Sequence, residues 1–224
     1  MSALVPAFSK FLISTGNTVE VYVCPANRSH AFVDLNFYKD ANPGSSLIAV
    51  ALTANADPAA LTSVDFFVDD IELIDTTNIA SLEKVMVGRN ERLFVRTVSG
   101  SPVSVRTVSM EETNSKVGKA GRLAAVSVPS LTPVEIYSNT IPNTAYVAAS
   151  LTIFNTTTNN NADVEGWITS ATVPSANDKV FRFTIPAQDT TIIQNMLLAP
   201  NERIFIQSNR ANTEYFLNGV VVLV

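Results

Sequence analysis

The hydrophobic pattern of the chain is typical of β-strands. Apolar residues alternate with polar ones over short stretches, as at Val19, Val21 and Val23, or form short runs bounded by turn residues. A period of two places alternate side chains on opposite faces of a strand, so that one face is buried. Helical periodicity is scarce, and its best candidate is 77–85, with Thr77 or Asn78 as the cap. The pattern predicts an all-β chain with at most one short helix.

Two sequence motifs occur twice and in the same order. Val-Glu-Val-Tyr at 19–22 matches Val-Glu-Ile-Tyr at 134–137, and Asn-Glu-Arg-Leu-Phe-Val at 90–95 matches Asn-Glu-Arg-Ile-Phe-Ile at 201–206. The copies begin 115 and 111 residues apart. The difference lies in polar turns, where surface connections tolerate insertions. Self-similarity at a nearly constant spacing indicates a repeated structural unit.

The repeat predicts the domain organisation. The first domain, with a short N-terminal segment, covers 1–110, a linker covers 111–121, and the second domain covers 122–224. The linker is polar, contains glycine and has no apolar period. Roughly 100 residues with six to eight short strands favour an antiparallel β-sandwich of immunoglobulin or jelly-roll type. Trp167 occurs only in the second copy, where we expect it to fill the core.

Composition and charge exclude several function classes. The chain is 46% hydrophobic and 16% charged, below the usual share of about 25%, which indicates a folded protein. Its net charge is −5 and no basic cluster is present, so direct nucleic-acid binding lacks its main source of affinity. A single cysteine, Cys24, permits no internal disulfide and favours a reducing compartment. No apolar run approaches the roughly 20 residues that span a bilayer, so we expect a soluble protein made in the cytoplasm, without membrane contact.

Residues for catalysis are sparse. The single histidine, His30, follows polar residues in a turn, and we expect a solvated loop residue and not a general base. No glycine-rich phosphate-binding motif is present. The sequence predicts a non-enzymatic protein without a catalytic site, a cofactor or a bound metal.

An acidic cluster lies at 65–75. Its carboxylates could bind Ca²⁺ or act as a general acid/base pair. In a strand, however, Asp65 and Asp69 share one face, whereas Asp70 and Glu72 share the other. The division favours a charged strand edge, which discourages unwanted strand pairing. We expect the contacts of the two copies to differ here.

The Asn-Glu-Arg motif is the polar motif that occurs in both copies. One interpretation is a tight turn, led by Gly88 or Pro200, from which a strand begins. The other assigns the motif to contacts between subunits. The candidate subunit contacts are Asn90, Glu91, Arg92, Asn201, Glu202 and Arg203, together with Asp69 and Asp70.

The strand and turn residues of the second copy carry a family resemblance. They comprise the strand at 134–137, Ile-Pro at 141–142, a strand at 146–155 that ends before Thr156, Thr-Ile-Pro-Ala at 184–187, the run at 197–206, and a last strand through 219–221. This arrangement resembles a small β-sandwich unit common among virion proteins of tailed bacteriophages. The first copy keeps Val-Tyr at 21–22, Cys-Pro-Ala at 24–26 and the run at 88–94, but has Asp-Asp-Ile at 69–71 in place of the Ile-Pro-Ala turn.

The resemblance implies a non-catalytic virion component, assembled in the host cytoplasm. The role it favours is a capsid cement or decoration protein that bridges coat subunits, because a tether between two weak contacts raises the effective concentration of the second. Its partners would be the major capsid protein or tail proteins, or other copies of itself. The alternatives are a neck, tail or baseplate component, a carbohydrate or receptor-binding module, and a hydrolase that uses Asp69, Asp70 or Glu72.

Overall fold

The computed structural model describes residues 5–39, 44–74, 79–114, 116–128, 131–210 and 213–224. Nearly all of its regular structure is β-strand, with short 3₁₀ turns at Pro58–Ala60, Ser63–Asp65 and Ala176–Asp178. No helix in these ranges is long and apolar enough to cross a membrane. The chain divides into two units, Met1–Ser115 and Lys116–Val224.

The first unit is a sandwich of two four-stranded antiparallel sheets. Its strands are β1 (Val5–Ile13), β2 (Thr18–Val23), β3 (His30–Lys39), β4 (Ser46–Thr53), β5 (Phe66–Leu73), β6 (Ile79–Gly88), β7 (Arg92–Ser99) and β8 (Val103–Glu112). The sheet orders are β1-β8-β3-β6 and β2-β7-β4-β5. Eight strands in this arrangement form a jelly roll.

The second unit repeats the same topology. Its strands are β9 (Val117–Ser127), β10 (Val134–Ser138), β11 (Thr144–Asn155), β12 (Ala162–Thr169), β13 (Lys179–Ile185), β14 (Thr190–Leu198), β15 (Arg203–Ser208) and β16 (Thr213–Leu223). The sheet orders are β14-β11-β16-β9 and β10-β15-β12-β13. Adding eight to each strand number of the first unit reproduces these orders. The all-β, antiparallel sandwich prediction is confirmed, and the strand order identifies its jelly-roll form.

The core of each unit consists of the inward residues of the alternating pattern. In β3, Leu35 and Phe37 are fully buried, and so are Leu151 and Ile153 in β11. Burying one such side chain contributes roughly 1.5–3 kcal/mol. Trp167 is also buried, in agreement with the prediction that it fills the core, although it lies outside the cluster that contains Leu151 and Ile153. The register between β12 and β13 shifts at this point, where Gly166 pairs with Phe181 and Trp167 with Lys179, so the extra residue belongs to β13.

The candidate helix at 77–85 is a strand over its described part. β6 begins at Ile79, and its register with β3 shifts between Val33 and Leu35, where Lys84 has a left-handed φ of 56°. Asn195 in β14 has a φ of 60° at a similar shift. The extra residue of such a bulge breaks the period of two and imitates helical spacing. The proposed caps, Thr77 and Asn78, lie outside the described residues.

The structure also differs from the predicted linker at 111–121. β8 continues to Glu112 and β9 begins at Val117, so both ends of that segment belong to strands. Within β9, Gly121 pairs with Gly219 and Lys119 with Val221 of β16. Small and charged residues in an edge strand gave this segment its loop-like composition.

Candidate functional site

The repeated Asn-Glu-Arg motif forms the tight turn that precedes β7 and β15. Asn90 has a φ of 62°, a conformation that asparagine adopts more readily than most residues. The Glu91 carboxylate accepts a hydrogen bond of 2.9 Å from the Gly88 N–H. In the second unit, Asn201 has a φ of 67° and the Glu202 carboxylate accepts a hydrogen bond of 2.7 Å from the Ala199 N–H. The glutamate of the motif therefore stabilises its own turn.

The arginine of this motif pairs with the glutamate of the other repeated motif. Arg92 forms an ion pair with Glu20 across β2 and β7, and Arg203 forms one with Glu135 at 2.5 Å across β10 and β15. Partly exposed pairs of this kind contribute about 1 kcal/mol or less. These internal contacts explain why both motifs occur twice. A role for the six motif residues in subunit contacts stays a prediction.

The acidic cluster does not converge on one point. Asp65 is buried and accepts hydrogen bonds from the Thr62 N–H at 2.8 Å and the Thr62 hydroxyl at 2.9 Å, so it caps a turn. Asp69 lies 3.9 Å from Arg96; burial raises the pKa of its carboxyl group, and Arg96 opposes that shift. The side chain of Asp70 and all of Asp75 lie outside the described residues. In the described ranges no group of three His, Cys, Asp or Glu side chains could hold a metal ion.

His30 is buried at the start of β3, which corrects the prediction of a solvated loop residue. Its side chain reaches two polar partners: Nδ1 lies 3.0 Å from the Ser29 hydroxyl oxygen and Nε2 lies 3.3 Å from Glu112 Oε2. Its ring packs edge-on against Phe32, with centroids 5.2 Å apart. Burial lowers the pKa of the imidazole, and the Glu112 carboxylate opposes that shift.

The Ser29, His30 and Glu112 side chains have the residue types of a catalytic triad, but their hydrogen bonds are structural. The Ser29 hydroxyl donates to the backbone carbonyl of Glu112 at 2.9 Å and accepts from the Asn114 N–H at 3.1 Å. A nucleophilic serine instead gives its proton to the histidine. The cluster therefore fastens the end of β8 to the turn before β3.

We expect the first unit to lose stability as the pH falls below 6.5, the ordinary pKa of histidine. Since burial lowers the pKa of His30, the unfolded chain takes up the proton first, and folding becomes less favourable until the folded-state pKa is reached. Amide hydrogen exchange in β3, corrected for intrinsic rates, should therefore be faster at about pH 5.5 than at about pH 7.5. The substitution His30→Gln should reduce this difference in exchange rate between the two pH values. An unchanged difference in the variant would show that another group causes it.

A basic groove on the outer face of the first unit was not predicted. Lys10 of β1 and Arg106 of β8 are directly opposite in the strand register, and with Phe8, Tyr38 and Ser104 they line a groove of about 600 Å³. Phe8 is 63% exposed. Within the described ranges, neither Lys10 nor Arg106 has an ion-pair or hydrogen-bond partner. Residues 8–12, Phe-Ser-Lys-Phe-Leu, do not alternate cleanly between apolar and polar, and they lie in the part of the chain that was interpreted as a short N-terminal segment.

Two jelly rolls in one chain define the structural class of this protein. No family model and no curated protein matches the chain. The structure is similar to the crystal structure of the STIV MCP. The two chains are 8% identical, the TM-score is 0.46, and the similarity covers 99% of this chain and 97% of that one. It is also similar to the major capsid protein P2 of bacteriophage PM2, with 12% identity, a TM-score of 0.41, and 98% of each chain covered. A third similar structure is the CBM22-1-CBM22-2 tandem domain of Paenibacillus barcinonensis Xyn10C, with 8% identity, a TM-score of 0.30, and coverage of 100% and 93%.

Proposed function

We propose that this chain is a non-catalytic structural protein of a virus particle. The observation that carries the proposal is the presence of two jelly rolls of identical strand order, whose shared polar motifs stabilise their own turns and strand pairs. The polar residues that the two copies share therefore stabilise the fold. Jelly rolls are widespread in viral capsid subunits. The resemblance of the strand and turn residues to tailed-bacteriophage virion proteins supports the same role.

Within the particle, we propose that the chain acts as a capsid cement protein that bridges coat subunits. Two units of the same fold can each contact one of two neighbouring subunits. The covalent connection between them raises the effective concentration of the second contact to about millimolar, so that two weak contacts give firm attachment. A neck, tail or baseplate position is the alternative within the same class.

The test is sedimentation of the purified chain with capsids and with tails, each prepared from the virus that encodes it after deletion of its gene. We expect the chain to sediment with capsids. Exclusive sedimentation with tails would overturn the cement role in favour of the alternative. Because one similar structure is a major capsid protein, a third sample contains the chain alone. Closed shells in that sample would identify a coat subunit and contradict the cement role.

A further inference from the structure

β1 differs from every other edge strand that the structure describes. The sheets have eight edges, formed by β1, β2, β5, β6, β9, β10, β13 and β14. Seven of these strands pair with their inner neighbour through a register shift. β1 pairs with β8 over nine residues without one. Bulges twist edge strands away from further pairing, so the part of β1 that follows Pro6, which has no N–H to donate, is the edge best suited to accept another strand.

The corresponding strand of the second unit shows that the fold does not require this edge. β9 has two register shifts, a left-handed Gly121 with a φ of 89°, and small residues such as Gly118 and Ala120. β1 instead presents Phe8 and Leu12, which are 63% and 66% exposed. β1 and β9 occupy the same place in the topology, but they differ in the regularity of the edge strand. β1 has the regular edge that permits another strand to pair with it.

The charge on this edge defines the chemistry of its partner. Lys10 lies between Phe8 and Leu12 in the alternation of β1, and Arg106 lies directly opposite Lys10 on β8. Like charges at opposed positions destabilise a sheet. An anion bound between the two side chains would remove this repulsion. If β1 of a second copy of the chain were the partner, its lysine would lie beside Lys10 and Arg106 and increase the repulsion. The charges therefore disfavour a second β1 as the partner.

We propose that β1 binds an extended acidic segment of a partner protein as an added strand. A carboxylate of that segment faces Lys10 and Arg106, and apolar side chains two residues away on either side contact Phe8 and Leu12. Residues two apart share one face of a strand, so the recognised pattern is apolar-x-acidic-x-apolar. In this binding mode, backbone hydrogen bonds supply affinity and side chains supply specificity. The partner is defined by its chemistry, and the proposal holds whether or not the chain is a virion component.

A protein carboxylate fits this surface better than nucleic acid does. Nucleic-acid affinity depends on several cations that neutralise successive phosphates. The groove provides two cations on a chain whose net charge is −5. The exposed aromatic ring and the arginine are residue types enriched in protein interfaces.

The test uses the whole chain and a labelled synthetic peptide, Thr-Val-Thr-Glu-Thr-Val-Thr, with the same peptide carrying Lys for Glu as its control. Fluorescence anisotropy should show binding of the Glu peptide alone. The double substitution Lys10→Glu, Arg106→Glu should weaken that binding by about tenfold or more and create binding of the Lys peptide, since it reverses the charge pair. Lys119→Glu on β9, also an exposed cation, should change neither.

A second measurement separates strand addition from simple charge attraction. With the Glu peptide bound, hydrogen exchange should slow at β1 amide groups that do not pair with β8, and it should stay unchanged in β9. Circular dichroism confirms that each variant is folded, and Lys10→Gln serves in place of the double variant if that one is not. Equal binding of both peptides, loss of binding in Lys119→Glu, or unchanged exchange in β1 would each overturn the proposal. Equally strong competition by a short oligonucleotide would replace it with a general anion site.

Discussion

Replacing Asn155 with aspartate should destabilise the second unit by about 3 kcal/mol. Asn155 is fully buried at the end of β11. Its amide nitrogen donates to three backbone carbonyl oxygens, those of Asn160 at 2.9 Å, Ile185 at 3.1 Å and Pro186 at 2.8 Å. Aspartate has the same shape but presents a carboxylate oxygen to these carbonyls, so the buried acceptors lose their donor and meet negative charge.

Urea unfolding followed by the fluorescence of Trp167 measures this effect, because the single tryptophan is buried in β12 of the second unit. The matched control is Asn159→Asp, which adds the same charge to an exposed position of the loop after β11. We expect the control to change stability by less than about 0.5 kcal/mol. Equal shifts in the two variants would attribute the loss to added charge and contradict the hydrogen-bond explanation.

Asn155 also shows what the family resemblance detects. Its side-chain oxygen accepts hydrogen bonds from the Thr157 N–H at 3.2 Å and the Thr157 hydroxyl at 2.8 Å, so one side chain holds the loop after β11 against the end of β13. The asparagine at the end of the second strand was one of the residues that carried the resemblance. Its side chain stabilises the loop after β11, and the partners described for it are residues of that loop and of the end of β13. A resemblance made of such residues informs on fold first and on function only indirectly.

The strands were predictable because their signals are local. The alternation in β2, the Asn-Glu-Arg turn before β7 and its copy before β15 need only neighbouring residues to be interpreted. The choice between immunoglobulin and jelly-roll order was not predictable, because it depends on pairing between strands far apart in sequence, such as β1 with β8. Strand order also decides which strands form edges. For this reason the free edge of β1 could not be recognised from Phe8, Lys10 and Leu12 in the sequence.

Burial of polar residues was the least predictable feature of the candidate sites. His30 follows a polar turn in sequence, yet it is only 4% exposed because β3 lies between β8 and β6. Its partner Glu112 comes from the segment that was interpreted as a linker. Neither the burial of His30 nor its contact with Glu112 can be inferred from the hydrophobic and polar pattern of the neighbouring residues. The Glu20 and Arg92 pair was similarly hidden, although both residues belong to motifs that the repeat identified.

Replacing Gly219 with alanine should destabilise the second unit by about 3 kcal/mol. Gly219 of β16 pairs with Ala149 of β11 in the middle of a four-stranded sheet. A Cβ atom at this position would lie 2.3 Å from the Ala148 carbonyl oxygen and 2.8 Å from the Ala149 Cα. Both are backbone atoms, so the clash can be relieved only by moving one strand from the other. Glycine inside a strand is otherwise unfavourable by roughly 0.5–1 kcal/mol relative to alanine, so the sign of the effect tests the close approach.

The control for this prediction is Gly118→Ala in β9. The Cβ atom there would meet the Leu223 Cδ2 at 2.9 Å, and the end of a leucine side chain can rotate away. We expect a change within about 1 kcal/mol, measured by urea unfolding with Trp167 fluorescence as before. If Gly219→Ala proved as stable as the unmodified chain, β11 and β16 could move apart at this one position without cost. The close approach at Gly219 would then not be the reason that β16 has glycine there.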